Sequence, residues 1–176
     1  MQAPVVLVLA SGRGERFIAS GGGGSKLQAL LAGKPVLEHT LAAVRASGLP
    51  FHVEDAGHPG MGDSIAAGVR ATANASGWLV LPGDLPLIAP SSLLAVAEAL
   101  AHHSLVVPMH SGTRGHPVGF SAVHGPALQA LSGAEGAAVI VRSSTPMRID
   151  LDDVGIVTDI DTMEDLAGAE RMLALR

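Results

Sequence analysis

The 176-residue sequence has no cysteine and no tyrosine, one tryptophan and three phenylalanines, so aromatics make up only 2% of it. Without cysteine there is no disulfide framework, no thiolate nucleophile and no Cys-ligated zinc or iron–sulfur centre. The redox compartment is therefore not readable from it. Scarce aromatics remove the platforms on which single-stranded bases stack. Charged residues are 15% of the chain and the net charge is −5, which offers no basic footprint for nucleic acid. No apolar run approaches the ~18 residues of a membrane span. The first ten residues, MQAPVVLVLA, lack a basic leader region and run straight into a strand pattern. What remains is a cytoplasmic α/β protein with neither nucleic acid nor membrane as partner. At roughly 100–200 residues per domain, residues 1–176 are expected to form one domain.

Glycine is what the chain has in abundance, with 22 residues. It punctuates two alternating patterns. The run VVLVL at 5–9 suits a strand buried on both faces and ends in a glycine turn. Residues 35–47 carry Val36, Leu37, Leu41 and Val44 at helical spacing, with Pro35 at the start and Gly48 after the end. Further strands are expected at 51–55, 79–81, 105–107, 118–122, 148–151 and 155–158, and further helices at 64–72, 91–101, 137–142 and 162–175. Thr162 and Asp165 are spaced as a capping box. Trp78 opens a strand and reads as core. Strand–helix alternation of this kind predicts a mainly parallel sheet with helices on both faces, whose ligand lies beyond the carboxyl ends of the strands.

The chemically loaded residues follow strands, as that rule requires. After the first come Gly12 and Gly14, which let backbone N–H groups approach an anion, with Arg13 and Arg16 adding charge. Lys26 follows a mobile glycine-rich stretch, 18–25, and can swing in as a point charge. By themselves these residues also describe an ordinary turn with surface arginines. Asp84, in PGDLP after the third strand, suits a hard cation such as Mg²⁺ or, equally, a turn ahead of Pro86. GMGDS at 60–64 opens a helix whose N–H groups can meet a phosphate or a base edge, or whose Ser64 or Asp63 is simply the N-cap. Arg114 and His116, in RGHPV, suit a grip on a phosphate; a solvated loop pair is the alternative. His110 and His116 lack a carboxylate at ligand spacing and are discounted as a metal pair. A dinucleotide-binding dehydrogenase is disfavoured by the missing third glycine, although Glu54 and Asp55 sit near where an acidic residue would be wanted.

LASGRGER at 9–16 followed by Lys26-Leu27 resembles the L-A-x-G-x-G-x-R…K-L signature of nucleotidyltransferases, and more narrowly the MobA-like NTP transferase family. The resemblance continues through GKPVL at 33–37, GMGDS, GDLP at 83–86, RGHPV and DIDTMED at 159–165, in order along nearly the whole chain. It implies a three-layer α/β/α Rossmann-like fold and a Mg²⁺-dependent transfer of a nucleoside monophosphate with loss of pyrophosphate. It further implies that Gly12, Gly14, Arg16 and Lys26 cradle the triphosphate and that Leu9, Ala10 and Ser11 lie near base and ribose. Gly62 and Ser64 would help define the nucleotide site, Arg114 and His116 would meet the acceptor, and Asp84 with Asp161 would hold the metal, although Asp159 and Asp161 fit helix capping nearly as well. The nearest members resemble molybdenum cofactor cytidylyltransferases. CTP is therefore expected ahead of GTP, molybdopterin or another phosphorylated small molecule as acceptor, and a molybdoenzyme or its chaperone as recipient. The alternative is an idle nucleotide- or pterin-binding module, against which the retained Asp84, Lys26 and Arg16 argue. Three departures stand out: Ala134 where relatives often carry aspartate, Ser11 where cytidylyl members more often carry alanine, and the GGGGS insertion before Lys26.

Overall fold

A computed structural model describes residues 3–12 and 14–176. In chain order the elements are β1 (Val5–Leu9), α1 (Glu15–Ala19), β2 (Leu30–Leu31), β3 (Lys34–Pro35), α2 (Val36–Ser47), β4 (Phe51–Glu54), α3 (Met61–Ala71), β5 (Gly77–Pro82) and α4 (Pro90–Leu100). They continue with β6 (Leu105–His110), β7 (Thr113–Arg114), β8 (Val118–Ser121), α5 (Gly125–Gln129), α6 (Ala138–Arg142), β9 (Met147–Asp150) and α7 (Met163–Ala174). Two 3₁₀ turns cover Ala122–His124 and Val154–Val157.

The main sheet runs β4-β1-β5-β8-β6-β7, with β9 alongside β6. β1 pairs in parallel with both β4 and β5, and β6 in parallel with β9, while β8 and β7 run antiparallel to their neighbours. From β1 the chain goes first to one neighbour and then returns to the other, so the strand order reverses at β1. The loops after β1 and β5 therefore flank the crevice where such sheets bind ligands.

Alternation along β1 sorts the core into layers, because successive side chains leave opposite faces of a strand. Val6 and Val8 join Leu41 and Val44 of α2 and Leu93 and Val96 of α4. Leu7 and Leu9 join Ile65 and Val69 of α3, Leu128 of α5 and Ile140 of α6. The expected three-layer α/β/α arrangement with a mainly parallel sheet is what forms. A smaller cluster of Leu31, Val36, Leu87, Ile160 and Ala169 docks α7 beside it. Trp78 is core, 2% exposed, and its Nε1 donates to Thr72 Oγ1 at 2.9 Å.

Residues 155–158, expected to be extended, lie instead largely in the second 3₁₀ turn. Asp153 starts that turn by accepting from the Gly155 amide, and the same carboxylate accepts from Ala89 N and Ser92 Oγ at the start of α4. The segment thus serves as a cap for a neighbouring helix. α3 begins three residues before its expected start, with Gly60 rather than Asp63 or Ser64 at the N-cap. Within residues 18–25, Gly21 and Gly22 donate to the carbonyls of Ile18 and Phe17. Phe17 is 1% exposed, and a Cβ at Gly22 would fall 2.3 Å from its ring, so only glycine lets this turn close. Among the described residues, no helix is long and apolar enough to cross a membrane.

Candidate functional site

The glycine-rich loop after β1 is fixed from the sheet side. Ala10 N and Ser11 Oγ both donate to the Glu54 carbonyl, at 2.9 and 3.1 Å, and Gly83 N donates to the Leu9 carbonyl. Gly14, left-handed at φ 65°, turns the chain into α1 and so brings Arg16 back over the crevice. Arg13 lies outside the described residues, and its expected charge there is not placed.

Lys26 sits at the centre of the site. Its Nζ donates to Asp84 Oδ2 at 2.9 Å and lies 3.7 Å from Asp161 Oδ1. Arg16 completes the cluster by donating to Asp161 Oδ2 at 2.7 Å. The two aspartates come together because the Asp84 carbonyl accepts from Ile160 N, which pins residues 159–161 across the end of β5. The capping box at Thr162 and Asp165 forms as expected, and Asp165 also accepts from the Asp161 amide. Asp161 therefore has both its backbone and its side chain fixed.

Burial pushes the Asp84 carboxyl above the ordinary aspartate range, with Lys26 pulling against it. The hydrogen bond from Arg16 holds Asp161 below that range. Asp84 Oδ1 is buried and has no partner among the described residues. A buried carboxylate oxygen left unpaired is costly, and it is the donor that a hard divalent cation takes. No group of three or more potential ligand side chains exists among the described residues. Mg²⁺ normally uses one or two carboxylates with phosphates and water, so Asp84 and Asp161 fit such an ion.

Two adjoining cavities form one groove and share Gly12, Lys26 and Pro59. The first, about 290 Å³, has apolar walls from Leu9, Leu27, Met61 and Pro82, with Ser11, Lys26, His58, Ser64 and Asp84 as its polar side chains. The second, about 340 Å³, is charged and includes Gly14, Arg16 and Asp161. An apolar slot leading into a charged trough matches a ligand with a flat ring at one end and anionic groups at the other.

Most of the expected site residues converge here: Leu9, Ser11, Gly12, Gly14, Arg16, Lys26, Ser64, Asp84 and Asp161 all line the groove. Ala10 lies in the same loop. Gly62 departs from its expected role. Its amide is spent on the Gly133 carbonyl at 2.8 Å, and a Cβ there would come 2.8 Å from the Ser132 backbone, so this glycine admits the 131–136 loop rather than a ligand. Ser64 is nearly buried, and its Oγ donates to the Gly60 carbonyl.

Arg114 and His116 do not line the groove. His116 N donates to the Ile156 carbonyl. Its side chain is half-buried, with Nδ1 enclosed and unpartnered among the described residues, and desolvation draws the imidazole down to about 4. Asp159 links the two regions, because its charge acts on Asp84, His116 and Arg16 alike.

Sequence reasoning did not find His58, Met61 or Ala134 as groove residues. No motif marked His58. Ala134 stands out in the sequence only as a departure from relatives, and the close backbone approach at Gly60 and Gly62 brings its loop to the groove.

Comparison with known proteins agrees with this architecture. The family model described as the MobA-like NTP transferase domain matches residues 42–149, more than half of the chain. The purine catabolism protein PucB of Bacillus subtilis is 30% identical over 129 residues, covering 70% of this chain and 62% of PucB. The crystal structure of Rv0371c from Mycobacterium tuberculosis superposes with a TM-score of 0.82 at 21% identity, covering 97% of this chain and 98% of that one. A manganese complex of Rv0371c superposes at 0.76 and 20% identity, covering 97% and 99%. Molybdopterin-guanine dinucleotide biosynthesis protein A from Archaeoglobus fulgidus superposes at 0.70 and 19% identity, also covering 97% and 99%. The family model, the order of the strands and the charged groove at their carboxyl ends agree, and the chain belongs to the MobA-like NTP transferase family.

Proposed function

We propose that the protein is a nucleotidyltransferase that binds a nucleoside triphosphate along the groove and passes its nucleoside monophosphate to a phosphorylated pterin such as molybdopterin. An oxygen of the acceptor phosphate attacks the α-phosphorus. The bond from the α-phosphorus to the oxygen bridging to the β-phosphorus breaks, and pyrophosphate leaves. The acceptor phosphate is already a nucleophile, so positioning and charge neutralisation carry the catalysis.

The observation that carries this reading is Lys26 held between Asp84 and Asp161, with Asp84 Oδ1 buried and unpaired among the described residues. Base and ribose occupy the slot near Leu9, Ala10, Ser11 and Ser64. The triphosphate runs past Gly12 and Gly14 toward Arg16 and Lys26. Asp84 and Asp161 would hold a divalent cation, Mg²⁺ in our reading, which supplies positive charge to the phosphates. The manganese complex of Rv0371c is in keeping with a divalent ion. The chain forms one domain in this account, its N-terminal half serving the nucleotide and its C-terminal half, with Arg114 and His116, the acceptor.

CTP is the proposed donor, ahead of GTP, and a molybdoenzyme or its chaperone the recipient of the product. The pterin acceptor draws support from the molybdopterin-guanine dinucleotide protein among the structural relatives. The test is pyrophosphate release from each of CTP, GTP, ATP and UTP with Mg²⁺, with and without molybdopterin. Release with CTP that requires molybdopterin is expected; no release from any of the four removes the proposal.

A further inference from the structure

Beside the apolar slot lies a cluster of three titratable side chains that the proposed chemistry does not use. Glu54, 8% exposed at the end of the edge strand β4, accepts from His52 Nε2 on Oε2 at 3.0 Å and from His58 Nε2 on Oε1 at 2.9 Å. Burial alone would raise this carboxyl. The two imidazole hydrogen bonds outweigh it and hold Glu54 below the ordinary glutamate range. An ionised carboxylate only accepts, so each histidine must carry its proton on Nε2. In a neutral imidazole that leaves Nδ1 as the acceptor.

The two nitrogens of His58 thus have different tasks. Nε2 is committed to Glu54, whose own carbonyl holds Ala10 and Ser11. Nδ1 has no hydrogen-bond partner among the described residues and is not a buried orphan, and the ring lines the slot with Met61, Ser64 and Ala134. The slot's other polar side chains are Ser11, Lys26, Ser64 and Asp84, and the first three already donate within the protein, to the Glu54 carbonyl, Asp84 Oδ2 and the Gly60 carbonyl. A fixed acceptor in a slot walled largely by apolar side chains discriminates between ligands that offer it N–H and ligands that offer it an oxygen, because the latter leave two lone pairs facing each other.

We propose that His58 is a specificity-determining residue, oriented by Glu54, which reads the exocyclic amine of the bound base. This rests on the reading of the groove as a nucleotide site and deepens it. The base it selects carries an amino group where its counterpart carries a carbonyl, as in CTP against UTP and ATP against ITP. Glu54 acts through His58 as a positioning residue, and the carboxylate fixes the tautomer on which the selection depends.

Two substitutions separate reading from mere support. His58→Gln keeps a polar group near the Nε2 position, and so the bond to Glu54, but has no counterpart of the Nδ1 acceptor. His58→Asn keeps a polar group near the Nδ1 position and gives up the bond to Glu54. Binding of CTP, UTP, ATP and ITP to the full chain is measured by calorimetry with Mg²⁺ at neutral pH. The wild type is expected to bind the amino member of at least one pair about tenfold more tightly than the keto member, the size of one well-placed hydrogen bond. His58→Gln should narrow that ratio to about twofold, and His58→Asn should keep more of it. Equal binding of amino and keto members by the wild type, or undiminished discrimination in His58→Gln, overturns the assignment of His58 and leaves the nucleotide site standing. Failure of all four, and of GTP measured beside them, to bind overturns the nucleotide reading itself.

Discussion

Asp84 is a carboxylate placed where charge is disfavoured. Burial raises its affinity for a proton in the folded state above that in the unfolded chain. Folding therefore gains stability as the pH falls through that range and forgoes it at neutral pH. Asp84→Asn removes the cost along with the charge. Thermal unfolding at neutral pH should show a Tm at or above that of the wild type, while pyrophosphate release falls by about 100-fold or more, as when a charge-stabilising group is lost. A Tm lower by several degrees would mean that the Lys26–Asp84 pair is mainly structural. His116 has the opposite sign. Its folded value is about 4 because burial, joined by the Arg114 charge, outweighs Asp159. The unfolded imidazole takes its proton near ~6.5. The stability gained by keeping it neutral is fully present above that pH and is lost as the pH falls toward the folded value. His116→Asn should flatten the fall in denaturant stability between pH 7 and 4.5, by up to about 3 kcal/mol. A curve parallel to the wild type would show that the ring is not kept neutral by burial.

At the scale of elements, the N-terminus of α3 and the 131–136 loop form one wall of the groove. Gly60 and Gly62 are small because the backbone of Ser132 and Gly133 lies against them; a Cβ at Gly60 would stand 2.4 Å from the Gly133 carbonyl oxygen. Gly62→Val should destabilise the fold by about 1–3 kcal/mol, the range for overpacking a close contact. It should also weaken CTP binding, since the displaced loop carries Ala134 out of the slot; urea unfolding and calorimetry read the two effects separately. Unchanged binding would place Ala134 outside the nucleotide site. The sequence made the long elements legible. β1, α2, β5, α4 and α7 have clean periodicity or capping, whereas the 2.9 Å contact between Lys26 and Asp84 is a tertiary pairing that neither motif announces. What it hid was set by tertiary neighbours. Helix α1 and helix α5 have five residues each, too few for a periodic signal. The turn at Val154–Val157 is chosen by Asp153 capping and by Gly155 lying against the Leu87 carbonyl, which no local pattern reports. His58 owes its place to Glu54 across a glycine-containing loop, and the GMGDS motif drew attention to Gly62, whose closest neighbour is protein.

Across the whole molecule, the reversal of strand order at β1 puts two loops at one crevice, and the segment leading into α7 brings Asp161 to it from the far end of the chain. Residues separated by 145 positions, Arg16 and Asp161, thereby share a hydrogen bond. The abundance of glycine acquires two meanings from this. Some glycines leave backbone open to the groove, as at Gly12, and others let one segment of protein approach another, as at Gly62. The absent thiols and scarce aromatics cost the proposed reaction nothing, because it needs charge, a nucleophilic acceptor phosphate and a slot for the base. The most direct test incubates the protein with Mg²⁺, molybdopterin and CTP labelled on its α-phosphate, and follows the label. The account predicts that label enters a pterin–cytidine dinucleotide with the wild type and that Asp84→Asn transfers none above background. Transfer by Asp84→Asn at the wild-type rate, or no labelled dinucleotide from the wild type with any α-labelled triphosphate, would contradict it.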